Sequence, residues 1–371
     1  MFCCAPPAFA AQEPSDDFSA YYEEQKQQSG AGELPYELPE ETRDSLSGLG
    51  VEGPDWESLS SLSPEKVFSF AADAAAQASR DPIRAGASVM AVILICALVN
   101  GMKLTLAENG LGQAAGLAGT LCAAAVVVKP ITECVQYAGR IVQAAADFQL
   151  ACVPVLAGIL LAGGEPAKAL SYETLTALAG NAVSLIAAHF LAPLISCYLA
   201  LSIVSAVCPA IHMNGLCELF SRVVKWVLGL CMTIFSGILT IHSLVAASTD
   251  TAASRAVKFA VSSFVPVVGG ALGDALRTVS GCVGVLKSGV TAFLLLAEAF
   301  LFLPALLQCV CWQLVLTACG AAGEALGQKE LASMLSAAGK AVGLLLAILL
   351  CCMLVMTVSS VAIVLLGGGT Q

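Results

Sequence analysis

The sequence predicts an all-α polytopic membrane protein, and three observations predict it. The chain of 371 residues is 58% hydrophobic and only 12% charged, about half the charged fraction of a soluble domain. Its apolar residues gather in long runs separated by short loops rather than alternating as in strands. Its charge is split sharply: residues 1–82 hold 16 Asp/Glu against 4 Lys/Arg, a net of −12, and the remainder carries +2. No basic patch of the kind that binds nucleic acid exists, so nucleic acid is not an expected partner.

In chain order, Met1–Ala10 reads as the remnant of a secretory signal peptide, because Ala8-Phe9-Ala10 fits a small-residue cleavage pattern. The basic start and apolar run that should precede it are missing, so the expectation is a start codon further upstream, the alternative being an ordinary cytosolic start. Residues 11–82 are then an acidic extracytoplasmic segment, and 83–371 a polytopic membrane domain. Gln12–Gly32 is polar and reads as disordered. Two short amphipathic helices follow, one near Pro39–Leu46. The other is capped by Ser63-Pro64-Glu65 and is expected to end before Asp81-Pro82.

Roughly 7–9 membrane segments follow, some of them broken by Pro and Gly. The apolar stretches are Ile83–Gly101, Gly110–Val128, Leu150–Gly163, Thr174–Cys208, Val223–Ala246, Ser288–Ala322 and Ala341–Leu366. Two of these, Thr174–Cys208 and Ser288–Ala322, are 35 residues long and carry Pro193 and Pro304, too long for one upright helix. Lys103, Lys129 with Arg140, Lys168, Arg222 with Lys225, Arg255 with Lys258, and Lys329 fall in the expected loops, too evenly to set orientation.

Phe259–Gly273 is different. Fifteen helical residues reach roughly 22 Å, short of the ~30 Å hydrocarbon core. Pro266 removes a backbone donor and Gly269-Gly270 loosens the chain after it. Two readings stand. Two half-helices meet at the break and line a wet or protein-filled space, as broken backbone at membrane depth must. Otherwise the stretch is an amphipathic helix lying on the interface. Under the first, Pro266, Gly269, Gly270, Asp274 and Arg277 are candidate pore or gate residues, although Asp274 and Arg277 are one turn apart and can pair locally.

An internal repeat is read over about 148–247 and 264–366. Val153-Pro154-Val155-Leu156-Ala157-Gly158 matches Val265–Gly270 at an offset of 112, and Glu218-Leu219-Phe220-Ser221 matches Glu330-Leu331-Ala332-Ser333 at the same offset. Pro193 follows Pro154 much as Pro304 follows Pro266, and Lys225 and Lys340 each precede a last apolar helix. Pro154, Gly158, His189 and Pro193 are thus the first copy's counterparts of the candidate site. Such repeats occur in transporters, where broken segments meet at a central site.

Glu298 lies mid-run in Phe293–Leu303, where an ionisable residue is a functional candidate by default; His189 is its candidate partner. The plain alternative is a protonated Glu298 packed against hydroxyls. The sixteen cysteines, mostly inside apolar runs, read as small packing residues rather than metal ligands or disulfides. No phosphate loop, His-Glu-x-x-His or Gly-x-Ser-x-Gly is present, so neither catalysis nor a cofactor is expected.

The stretch Lys258–Leu276, with Gly180-Asn-Ala-Val-Ser-Leu-Ile and Leu59-Ser-Ser-Leu-Ser-Pro-Glu, resembles the stage III sporulation protein AE family of endospore-forming Firmicutes. The Pro-Val-Val-Gly-Gly block is the most specific part, and the likeness covers nearly the whole mature chain. The resemblance implies a multi-pass protein of the mother-cell membrane around the forespore. It implies a channel or secretion-like complex with the other stage III A proteins and a forespore membrane partner, supporting forespore development. An independent secondary transporter using Glu298 and His189, or a passive scaffold, are the other readings.

Overall fold

A computed structural model describes residues 16–60, 62–106, 109–164, 218–238 and 269–367, with scattered residues between 166 and 215 and at 240. Every described element is helical. Four long helices form the body: α4 (Pro64–Leu106), α5 (Asn109–Ala162), α7 (Gly269–Ala325) and α8 (Lys329–Gly367). The helix α6 spans Glu218–Ile238. Ahead of α4 come α1 (Asp16–Ser29), a 3-10 stretch (Ala31–Glu37), α2 (Glu40–Gly48) and α3 (Trp56–Ser60).

Five described helices are long and apolar enough to cross a membrane: Pro64–Val99, Ala118–Ala162, Glu218–Ile238, Gly281–Ala325 and Lys329–Val361. Gly110–Val128 and Leu150–Gly163, read from the sequence as separate spans, belong to the single helix α5. Much of Thr174–Cys208 and all of 259–268 lie outside the described residues, as do 1–15. The upstream copy of the repeat is therefore described only in part.

Prolines that the sequence suggests as breaks are absorbed. Pro82, Pro130, Pro154 and Pro304 all sit inside helices. In an apolar setting an alternative backbone conformation would leave groups unpaired, so neighbouring helices hold the chain helical through a single lost bond. At Pro82 the restraint is visible just downstream, where Gly86 lets α4 press onto α7. A Cβ on Gly86 would overlap Val315, and the Cys319 thiol sits 3.6 Å from the Gly86 carbonyl. The boundary drawn at 82/83 thus falls inside α4.

The register of the body follows from its contacts. Gly119 of α5 meets Cys96 of α4, Cys134 of α5 lies 3.8 Å from Cys309 of α7, and Gly339 of α8 packs on Leu316 of α7. With Gly163 just past α5 on Val283 and Gly320 on Ala332, α5 and α8 each run antiparallel to α7, and Phe70 on Phe300 with Gly86 on Val315 sets α4 parallel to it. The α7–α8 turn is tight because Gly327 takes φ 75°, and the Gln328 amide donates back to the Gly323 carbonyl at 2.8 Å, which ends α7 cleanly. Gly320 and Gly323 then let α8 approach at Ala332.

Two apolar clusters stack along this bundle. One joins α4, the middle of α5, the second half of α7 and α8, with Val89, Val142, Trp312 and Leu349 among its members. The other joins the end of α5 and the first half of α7 to the N-terminal segment, through Leu34, Leu46, Val51, Phe148, Leu156 and Phe293. The segment read as disordered is helical at 16–29. It is held by the ion pair Lys26–Asp55 at 2.6 Å and by the burial of Ala31, Leu34 and Leu38 just beyond it. Polar composition alone missed those few apolar anchors.

Candidate functional site

The first site is built around Glu298. Its side chain is fully buried on α7, between Ala297 and Phe300 of the packed face. Its Oε1 accepts a hydrogen bond of 2.8 Å from the Ser360 hydroxyl of α8, and the Thr357 hydroxyl, one turn earlier, is a second neighbour. Its Oε2 is buried without a partner in hydrogen-bond geometry. Next door, the Gln149 amide of α5 donates 2.8 Å to the Ser359 hydroxyl and 3.3 Å to the Met356 carbonyl, while Gln149 Oε1 has no partner. The Tyr172 hydroxyl and Thr176 Oγ1 are also buried and outside hydrogen-bond geometry. Cys152 and Tyr172 lie near Glu298. Three helices thus bring a polar knot into an apolar cluster.

The sequence-derived candidates do not all converge there. Gly269, Gly270, Asp274 and Arg277 lie in the first turns of α7, where the backbone is described and the side chains are not. Asp274 precedes Glu298 by 24 residues of continuous helix, about 36 Å. Asp274 and the buried carboxyl of Glu298 therefore do not meet. Pro266 and His189 fall outside the described residues. Pro154 is exposed on α5, Gly158 is half-buried with open space beside it, and Pro193 is exposed. The described neighbours of Glu298 are hydroxyls, as in the plain alternative above.

A second feature was missed. Lys129 and Arg140, read as loop residues, lie in mid-helix. Lys129, Thr132, Glu133, Gln136, Arg140, Gln143 and Asp147 are all exposed and recur at helical spacing down one face of α5. The opposite face, Ile131, Cys134, Ala138, Val142 and Ala145, is buried. From Lys129 to Asp147 the stripe covers about 27 Å, close to a hydrocarbon thickness. The contacts Gln149–Met356 and Cys134–Cys309 put it level with the most apolar parts of α8 and α7. The helical period of those polar residues was the signal available in the sequence.

A third feature is a cleft of about 1120 Å³ beside α6, lined by Glu218, Lys225, Gln313, Lys329 and Lys340. Lys225 and Lys340, matched by the repeat, face the same space. Gly343 leaves room for Gln313, whose amide would stand 3.1 Å from a Cβ there.

A profile of stage III sporulation protein AE matches residues 58–368, most of the chain. The chain belongs to the stage III sporulation protein AE family. One relative, stage III sporulation protein AE of Bacillus subtilis (strain 168), is 30% identical over 156 residues. That alignment spans 42% of this chain and 39% of the relative, so this chain covers about two fifths of that protein's length. No solved structure matches. In this member of a sporulation family the described elements are all helical, and five of them are long and apolar enough to cross a membrane. The polar stripe, the buried knot and the cleft are what its structure adds.

Proposed function

We propose that this chain is a non-enzymatic component of the stage III A complex in the mother-cell membrane, where it supplies a wall of a conduit that supports forespore development. The observation that supports this reading is the Lys129–Asp147 stripe. Charged side chains at the depth of apolar α8 are costly against lipid and belong against water or protein. The expected partners are the other stage III A membrane proteins and a forespore membrane protein. The N-terminal segment, outside the cytoplasm in this reading, keeps Glu40, Glu41 and Asp44 turned toward them or toward solvent.

The test is cysteine accessibility in sporulating cells. With native cysteines replaced, single probes go at Gln136 and Arg140 of the stripe and at Leu350 and Leu354 of α8. A membrane-impermeant thiol reagent is expected to reach the stripe and to spare α8. Equal protection of all four probes refutes the conduit wall. The Glu298 knot favours one second reading, secondary transport by the chain alone. Ion flux by the purified chain in vesicles, without partners, would support that reading instead.

A further inference from the structure

We propose that Glu298, with the Ser360 and Thr357 hydroxyls and the unpartnered Oε1 of Gln149, forms a binding site for a small monovalent cation, carried as a proton or as Na⁺, where α5, α7 and α8 meet.

The argument begins with charge. Glu298 is fully buried, and among the described residues its only hydrogen-bonding neighbours are the hydroxyls of Ser360 and Thr357. Among the described residues, no basic side chain contacts either carboxyl oxygen. An ionised carboxylate in such a place is strongly disfavoured unless its charge is neutralised. Water could satisfy its lone pairs but would leave the charge. One positive charge neutralises it, and a divalent ion would leave an excess charge of the opposite sign.

Chemistry narrows the cation further. The donors are all oxygens: the Glu298 carboxylate, the Ser360 and Thr357 hydroxyls and the Gln149 Oε1, while the Gln149 amide N–H holds that side chain on Ser359 and the Met356 carbonyl. That set suits a hard cation and lacks the imidazole or paired thiolates a softer metal selects. Ser359 and Ser360 are consecutive, with Cα atoms about 3.8 Å apart, so Gln149 and Glu298 each stand one hydrogen bond from neighbouring residues. Among the described residues Glu298 Oε2 and Gln149 Oε1 are both buried and unpartnered, which leaves acceptor capacity on both side chains. Among the described residues the titratable groups near Glu298 are Cys152 of α5 and Tyr172, with Glu37 of the 3-10 stretch near Cys152. The site lies within one copy of the chain and does not depend on the conduit reading.

The test uses the purified full chain in neutral detergent and a hydrophobic carbodiimide, which modifies only the protonated acid. Peptide mass spectrometry reads the modified Glu298, and Glu298→Gln sets the blank. Labelling is expected to fall roughly tenfold per pH unit above the midpoint of the site. A further fall with Na⁺, but not with choline at equal ionic strength, supports the Na⁺ form; a fall with pH alone supports the proton form. Gln149→Leu and Ser360→Ala are expected to move the midpoint by roughly tenfold in cation concentration, which a packing role alone would not do. The infrared carboxyl band that disappears in Glu298→Gln covers a reagent that cannot enter. A band unmoved by pH and by Na⁺, with labelling equally unmoved or absent, overturns the proposal.

Discussion

Two polar regions lie side by side in this bundle, and they differ in almost everything but composition. The α5 stripe spreads seven polar or charged side chains over five turns, all of them exposed. The knot gathers one carboxyl, one amide and several hydroxyls where none is exposed. The stripe keeps its charges hydrated or offered to a partner, so a single change there leaves nothing stranded. The knot has no water to fall back on, so each of its atoms depends on the others. Burial, not residue type, separates a surface from a site.

The sharpest way to break that comparison is to place a cation in the knot. Glu298→Lys buries an ammonium near Ser360 with no carboxylate to receive it, and is expected to cost about 3–5 kcal/mol. Thermal unfolding in detergent and the level of protein in the membrane would both fall. Glu298→Gln keeps the shape and removes the charge, so it should fold. A Glu298→Lys chain as stable as the parent would mean that the knot is wet, and that the contrast with the stripe is false.

A smaller effect is expected on the stripe. Gln136→Leu with Arg140→Leu should change stability by no more than about 0.5 kcal/mol, since both side chains are exposed. Spore formation should nevertheless fall, with protein level unchanged, because the proposed wall has lost its polar lining. Were the stripe set against lipid, the same pair would raise stability and leave sporulation intact. Thermal midpoints and spore counts together separate the two.

What could be read from the sequence follows the same line between local and long-range causes. The helical class was legible because apolar runs are local, but the count of 7–9 segments was not, since one long helix, α5, carries two of the runs. Glu298 was legible because a charge inside Phe293–Leu303 stands out. Its partners were not, since Ser360 is 62 positions away and serines in apolar helices are unremarked. His189, chosen for its chemistry, lies outside the described residues. The stripe escaped because Lys129-Pro130 reads locally as a loop, whereas packing of Ile131, Cys134 and Ala138 on the other face carries the helix through. Pro82 misled in the same way. The helix at 16–29 was hidden because the leucines that anchor the segment lie beyond it and are few.

The smallest expected effect concerns how the N-terminal segment is held. Tyr22 of α1 packs against the second apolar cluster, and burial, then the charges of Asp55 and Glu23, push its hydroxyl from 10.0 up to about 12. The sign follows from which state gives up the proton first. Below about pH 10 the hydroxyl is neutral whether the segment is docked or not, so docking is unaffected. Between about 10 and 12 the undocked segment ionises while the docked one resists, so docking weakens as pH rises and is weakest above about 12. Protease nicking near Glu52, which is exposed, should therefore rise across that window, and Tyr22→Phe should flatten the rise. An identical pH profile in Tyr22→Phe would mean that the Lys26–Asp55 pair and the buried leucines hold the segment without help from this ring. The second cluster would then be closed by that pair and by apolar contact, an arrangement the polar knot within it cannot use.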